Sequence, residues 1–135
     1  MILLWVPNIL SAQAKYGRED VRSLFPKDIK NLWINSLNGT LDNKHRVDMI
    51  IGTDGQVCKG FYRMHTSGEI FFFEGVDKQN ELKLVELTSE NKASGFILGH
   101  YDGERFSGQW QNMDKTVSLT MELTFIPKSS VQHIE

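Results

Sequence analysis

The side chains that could do chemistry do not fall into a spacing typical of a catalytic or metal site. Four histidines are scattered through the chain without an H-x-H or H-E-x-x-H pattern: His45, His65, His100 and His133. Cys58 is the only cysteine, and the sequence identifies no base that would activate its thiol, so we expect a small buried strand residue. We therefore predict a protein that is not an enzyme and that holds no metal and no cofactor.

Two pairs of glutamates lie on shared predicted strands, Glu69 with Glu74 and Glu81 with Glu86. Members of each pair are five residues apart, so they point to opposite faces of a strand and cannot form the carboxylate pair of a glycosidase. We predict that all four lie on solvated strand faces.

Aromatic side chains are the most informative set. In a ligand-binding barrel such residues line the lumen, whereas in a filled barrel they form the core, and the sequence leaves both alternatives open. Phe106 and Trp110 share one face of a strand and are predicted to point inward together. The candidate lumen residues are Trp33, Phe61, Tyr62, Arg63, Phe96, Tyr101, Phe106 and Trp110.

The composition is that of one folded domain with its own core. The chain has 135 residues, of which 40% are hydrophobic, and only three prolines. A net charge of −2 argues against a nucleic-acid partner, since such proteins usually carry a basic surplus. No apolar run reaches the roughly 18 residues that a membrane-spanning helix needs. A single cysteine excludes an internal disulfide.

Short turn clusters divide residues 33–126 into eight segments rich in β-forming residues. Asp-Gly pairs at 54–55 and 102–103 are strong hairpin signals. The last segment alternates strictly between apolar and polar residues, as a strand with one buried face does. The predicted strands are Trp33–Leu41, Arg46–Gly52, Val57–His65, Glu69–Gly75, Glu81–Thr88, Ala93–Tyr101, Arg105–Gln111 and Val117–Phe125.

The short connectors predict that consecutive strands pair in antiparallel fashion, because they leave no room for crossover helices. An open meander of eight strands would expose two edges, and pairing the first strand with the last removes both. We therefore predict an all-β fold, an antiparallel eight-stranded up-and-down β-barrel, with a sandwich as the alternative. A barrel of this size is either filled by side chains or holds one small ligand.

Glycines inside the predicted strands are followed closely by aromatic residues, as in the segments around Gly60, Gly95 and Gly108. Such glycines allow a coiled sheet to bend, and a neighbouring aromatic ring can cover them. Residues 55–62 (GQVCKGFY) are similar to the G-x-L-x-G-x-Y hairpin of avidin-type chains, and residues 106–110 (FSGQW) to their W-S-G-x-Y/W strand. The chain thus resembles the calycin-like barrels of the lipocalin and avidin group, and small exported barrels of Bacteroidetes-type bacteria. This resemblance implies the barrel fold and no particular ligand.

The segments outside the barrel have their own signals. Residues 1–14 are uncharged and end in Ala-Gln-Ala, a pattern that signal peptidase accepts, so we predict a signal-peptide remnant; a structural N-terminal segment is the alternative. Residues 15–32 form a short helical or linker segment that covers one end of the barrel or remains a linker. Residues 127–135 are a C-terminal tail. The predicted location is exported, periplasmic or secreted, in a bacterium.

These observations favour a non-enzymatic exported binding module that holds a small apolar or amphipathic ligand in the barrel. The alternative is a protein-interaction, inhibitor or accessory domain that acts through its surface, with a filled barrel. An enzyme working from the lumen is the least favoured reading. The run Ile70–Phe73 lacks alternation, which indicates either that both faces are covered or that one face meets a partner, for example in a homodimer. No nucleic-acid partner and no transmembrane span are expected.

Overall fold

The computed structural model describes residues 17–127, and these form a closed barrel of eight antiparallel strands preceded by one short helix. Each strand pairs with the next one along the chain, and the last pairs with the first, so that Leu37 lies opposite Phe125. The predicted fold class is confirmed. The elements are α1 (Arg18–Arg22), β1 (Trp33–Leu41), β2 (His45–Thr53), β3 (Val57–Met64), β4 (Ile70–Lys78), β5 (Glu81–Leu87), β6 (Ala93–Tyr101), β7 (Arg105–Gln111) and β8 (Ser118–Phe125).

The two ends of the barrel differ in which connections they carry. The turns after β2, β4 and β6 lie at one end, together with the start of β1 and the end of β8, and we call it the upper end. The turns after β1, β3, β5 and β7 lie at the lower end. Both termini of the described chain therefore leave the barrel at its upper end.

Two upper turns contain the predicted Asp-Gly pairs, and in both the aspartate closes the turn. Asp54 Oδ1 accepts hydrogen bonds from the backbone N–H groups of Gln56 (2.9 Å) and Val57 (2.8 Å). Asp102 Oδ1 does the same with the N–H groups two and three residues further on, at 2.7 and 2.8 Å. Because these bonds favour the ionised carboxylate, they lower the pKa of both aspartates. Both predicted hairpins are confirmed.

The apolar faces of all eight strands meet inside the barrel and form one core. Period-two alternation sets this arrangement, because every second side chain of a strand points inward. Fully buried members include Leu37, Val47, Ile97 and Met121, from four different strands. The interior is therefore largely filled by side chains.

Glycines on the inner face allow large rings to lie flat against the sheet. A Cβ added to Gly95 would lie 2.8 Å from Trp110 Nε1, and one added to Gly99 would lie 2.6 Å from Phe106 Cζ. The two rings thus occupy the space that side chains would fill at these positions. Gly95, one of the glycines named from the sequence, is thus covered by an aromatic ring, and the ring comes from the neighbouring strand, not from the residue that follows it in the chain.

The N-terminal segment packs against the outer wall of the barrel, so it follows neither of the two expected arrangements, a cover over one end or a linker. Val21 and Phe25 are buried there beside Phe61, and partly buried apolar residues surround them. Gly52 permits this close approach, since a Cβ there would lie 2.8 Å from both Val21 and Phe25. Arg18 also fixes the start of the segment by donating a 2.6 Å hydrogen bond to the carbonyl oxygen of Ile34.

This covering explains the run of apolar residues at the start of β4. Phe71 and Phe73 point into the barrel. Ile70 and Phe72 point outward and pack against the outer cluster that Phe61 forms with the N-terminal segment. Both faces of this part of β4 are therefore covered within the chain, which is one of the two alternatives that the sequence left open.

We predict that Gly75→Ala destabilises the barrel by about 1–3 kcal/mol, because overpacking a tight site forces the backbone to shift. The new methyl group would lie 2.0 Å from the backbone carbonyl oxygen of Lys83 on the neighbouring strand. Gly103→Ala is the control, since no atom lies within 4 Å of its Cβ position, and it should change stability by less than about 0.5 kcal/mol. Urea unfolding measures both, and equal midpoints would contradict the packing described here.

We predict that Phe25→Ala costs about 3 kcal/mol, because it removes the largest buried side chain of the N-terminal segment and leaves a cavity against the wall. The neighbouring residue supplies the control. Leu24 is exposed, so Leu24→Ala should cost less than about 1 kcal/mol. If the two variants unfolded at the same urea concentration, the segment would not be part of the folded unit.

Candidate functional site

A carboxylate lies inside the upper end of the barrel. Asp77 follows Phe73 and Gly75 on the inner face of β4 and is only 3% exposed. Its Oδ2 atom accepts two hydrogen bonds, from Thr53 Oγ1 at 2.7 Å and from the Tyr101 hydroxyl at 2.6 Å. These donors come from β2 and β6, the strands two places away on either side.

The other oxygen of this carboxylate, Oδ1, is buried and has no hydrogen-bond partner among residues 17–127. Within the same range no Lys, Arg or His nitrogen lies within 4.0 Å of Asp77. A buried acceptor left without a donor costs roughly 1–3 kcal/mol, and more when it is charged. The fold therefore maintains an unfavourable group at this position.

A second carboxylate, Glu86, lies inside the lower end and is also 3% exposed. Its Oε2 atom accepts from the Tyr62 hydroxyl and from Trp110 Nε1, the latter at 3.1 Å. Its Oε1 atom accepts from Ser94 Oγ at 2.8 Å. Both oxygens of Glu86 are thus satisfied by neutral donors. The prediction of a solvated face is wrong for Glu86, because it continues the inward alternation of Leu82 and Leu84.

Both tyrosines act as hydrogen-bond donors to these carboxylates. Burial raises the pKa of Tyr101 well above its usual range, and the hydrogen bond to Asp77 adds to the shift. Burial, and then the charge of Glu86, raises the pKa of Tyr62 in the same direction. Each phenol therefore keeps its proton around neutral pH and can hold the carboxylate oxygen it faces.

A small cavity opens at the upper end beside Asp77. Its volume is about 20 Å³, which is room for one or two waters. Its walls are mainly apolar, and Trp33 stands at its rim with 62% of its surface exposed. Thr53 and Tyr101, the two donors to Asp77, also line it, and the carboxylate itself lies behind them, outside the lining.

The structure places five of the eight candidate lumen residues inside the barrel or at its rim, and three on its outer surface. Trp33, Tyr101 and Phe106 line the upper cavity. Tyr62 and Trp110 point inward at the lower end, where both bind Glu86. The prediction that Phe106 and Trp110 point inward together is confirmed.

Phe61, Arg63 and Phe96 are outside the barrel, so their assignment to the lumen is wrong. Each alternates with an inward neighbour and therefore faces away from the core. Phe61 packs under the N-terminal segment. Arg63 donates a 3.0 Å hydrogen bond to Asp48 on the surface. The ring of Phe96 lies 5.2 Å from Lys115 Nζ.

Sequence reasoning missed Asp77 and Thr53. Asp77 stands beside Lys78, Gln79 and Asn80, so its residue type indicates a turn. The available signal was its spacing of four residues from Phe73, which places it on the inner face once β4 is extended to Lys78.

Cys58 is fully buried beside this site. Burial raises the pKa of its thiol, and the negative charge of Asp77 raises it further. Because the thiolate is the reactive form, this cysteine is inert in the folded protein. Across residues 17–127, no group of three or more His, Cys, Asp or Glu side chains is arranged to hold a metal ion.

We predict that a maleimide reagent labels native Cys58 at least about 100-fold more slowly than the urea-unfolded chain, because labelling requires opening of the barrel. A Ser67→Cys variant supplies an exposed thiol as the control, and that thiol should react at once in the folded protein. Rapid labelling of Cys58 under native conditions would contradict a closed and filled interior.

Comparison with protein-family models, with curated proteins and with solved structures finds no match to this chain. No helix within the described residues is long and apolar enough to cross a membrane. The site itself must therefore carry the functional argument.

Proposed function

We propose that this protein is a non-enzymatic binding module that takes one end of a small apolar or amphipathic ligand into the upper cavity. The observation that carries the proposal is a cavity with apolar walls whose lining also includes two hydroxyl-bearing side chains, Thr53 and Tyr101. Ligand pockets are typically apolar, with a few polar groups that fix the orientation of the ligand.

The size of the cavity limits how such a ligand binds. Side chains fill most of the barrel, and the open volume of about 20 Å³ is far below the roughly 300 Å³ of a pocket that encloses a drug-sized molecule. The proposal is therefore that only the tip of the ligand enters. The rest lies at the rim against Trp33, whose exposed indole offers an apolar surface.

We also propose a family and a cellular location for this protein. A closed eight-stranded meander is consistent with a calycin-like fold, and we propose a relationship to the lipocalin and avidin group and an origin in Bacteroidetes-type bacteria. We also propose an exported, periplasmic or secreted protein. The leader on which this location depends, residues 1–14, lies outside the described residues.

An enzyme working from the lumen is the second candidate, because Asp77 and Tyr101 are two titratable groups in hydrogen-bond contact beside a cavity. Binding is favoured over catalysis for two reasons. The raised pKa of Tyr101 makes it a poor proton donor near neutral pH. The cavity also has no room for a whole substrate.

Surface interaction remains the alternative to ligand binding, including a homodimer. The run Ile70–Phe73 supports it less than the sequence suggested, because Phe72 packs within the chain, with its ring 6.0 Å from that of Phe61. What supports it now is an exposed cross-strand pair, Val57 and Val76, on the outer wall near the upper end. Two valines form a small patch, so this candidate is ranked lower.

We expect hexanol to bind at the upper end, and amide NMR spectra of the full chain can test this. Chemical-shift changes should concentrate around the cavity, at residues such as Asn35 and Leu82. Trp33→Ala should weaken binding about tenfold, a difference of about 1.4 kcal/mol.

The control is Met113→Ala, which removes an exposed apolar side chain from the opposite end and should leave hexanol binding unchanged. Shifts that concentrated at the lower end, or the absence of any saturable shift at the upper end, would overturn the proposed function.

A further inference from the structure

We infer that the upper cavity selects the unbranched end of an alkyl chain, which enters with its terminal methyl group first while the polar group of the ligand stays at the rim. This inference rests on the proposed function and adds the chemical class and the orientation of the ligand. The cavity walls favour an apolar end, since six of the lining side chains carry no hydroxyl, amide or charged group: Leu37, Met49, Ile51, Leu82, Phe106 and Phe125.

The two hydroxyl groups in the lining have no proton left to offer a ligand. Thr53 Oγ1 and the Tyr101 hydroxyl both donate to Oδ2 of Asp77, at 2.7 and 2.6 Å. Thr53 Oγ1 also accepts the backbone N–H of Gly55 at 3.0 Å. A carboxylate or carbonyl group that entered the cavity would lose its water without gaining a hydroxyl donor, which is costly. An alkyl group needs no such partner.

The polar side chains that remain open for a ligand lie together on β1. Trp33 and Asn35 alternate along one face at the start of this strand, and both line the cavity. Neither the Trp33 indole N–H nor the Asn35 amide has a hydrogen-bond partner among residues 17–127. Since Trp33 stands at the rim, these two side chains suit a hydroxyl or similar polar group that stays at the mouth. The ligand is therefore oriented with its apolar end inside.

The size of the cavity sets the shape of the group that enters. Its volume of about 20 Å³ has room for one or two waters, and so for about the last one or two carbons of a chain. Leu37, Met49 and Phe106 line it and belong to the packed core, each no more than 3% exposed, so these walls do not move apart easily. A tert-butyl group is wider than this space. The site thus discriminates between chain ends by their branching.

The test compares two isomeric alcohols on the wild-type full chain, by amide NMR titration and calorimetry. Hexanol ends in an unbranched chain, whereas neohexyl alcohol has the same atoms and the same primary hydroxyl group but ends in a tert-butyl group. Each methylene group that leaves water is worth about fourfold in affinity, so a ligand that loses about two carbons from the cavity should bind at least about tenfold more weakly than hexanol. This comparison needs no variant and so does not depend on whether a mutant folds.

Intermolecular NOEs from bound hexanol measure its orientation directly. The terminal methyl protons should give NOEs to the methyl groups of Ile51 and Leu82, two residues of the cavity lining. The methylene group that carries the hydroxyl should give NOEs to the indole protons of Trp33, at the rim. The reverse pattern would show that the hydroxyl enters first and would overturn the inference.

Met49→Ala tests the steric limit. It shortens one wall of the cavity and should reduce the preference for hexanol to less than about twofold, because the tert-butyl end then fits. Met121→Ala is the matched control. It makes the same deletion at a methionine that is also buried in the core but lies outside the cavity lining, so the preference should stay at about tenfold.

The remaining outcomes separate the two proposals. Equal affinities of the two alcohols at the upper end would overturn the selection of an unbranched end and leave the proposed function standing. A preference that Met49→Ala leaves unchanged, or that Met121→Ala abolishes as well, would also overturn it. If neither alcohol bound at the upper end, the proposed function itself would fail.

Discussion

The burial of two carboxylates inside a closed barrel is the constraint that organises this structure. Each must find donors within the lumen, and each receives two of them from strands two places away, in residues 24 positions before and after it. Asp77 thereby links β2, β4 and β6 at the upper end, whereas Glu86 links β3, β5 and β7 at the lower end. These bonds cross the lumen and hold alternate strands in register, in two layers of side chains.

The two layers differ in whether the protein satisfies both oxygens of the buried carboxylate with hydrogen bonds. At the lower end Tyr62, Trp110 and Ser94 complete the hydrogen bonding of Glu86, so this layer is a satisfied polar network within the core. In the upper layer, Oδ1 of Asp77 has no donor among the described residues, and the two residues that bind Oδ2, Thr53 and Tyr101, line a cavity with apolar walls. An unpaired buried oxygen weakens the fold, and functional sites are where proteins accept such a cost.

Much of the architecture could be predicted from the sequence, because turn chemistry and period-two alternation are local signals. The eight strands, their order and the inward direction of Phe106 and Trp110 follow from them. Which face of β3 points inward could not be predicted in this way, because both faces are buried. The N-terminal segment buries Phe61 on the outer side, while Tyr62 is buried inside. Alternation cannot identify the interior when both faces are apolar. The carboxylates were missed because residue type indicates solvent and only tertiary partners reveal burial.

A crystal structure of the protein purified from its own producing cells would test the central claim most directly. The account predicts electron density in the upper cavity for the tip of an apolar or amphipathic molecule, with the rest of that molecule against Trp33. An upper cavity that holds only water, with no molecule against Trp33, would contradict it.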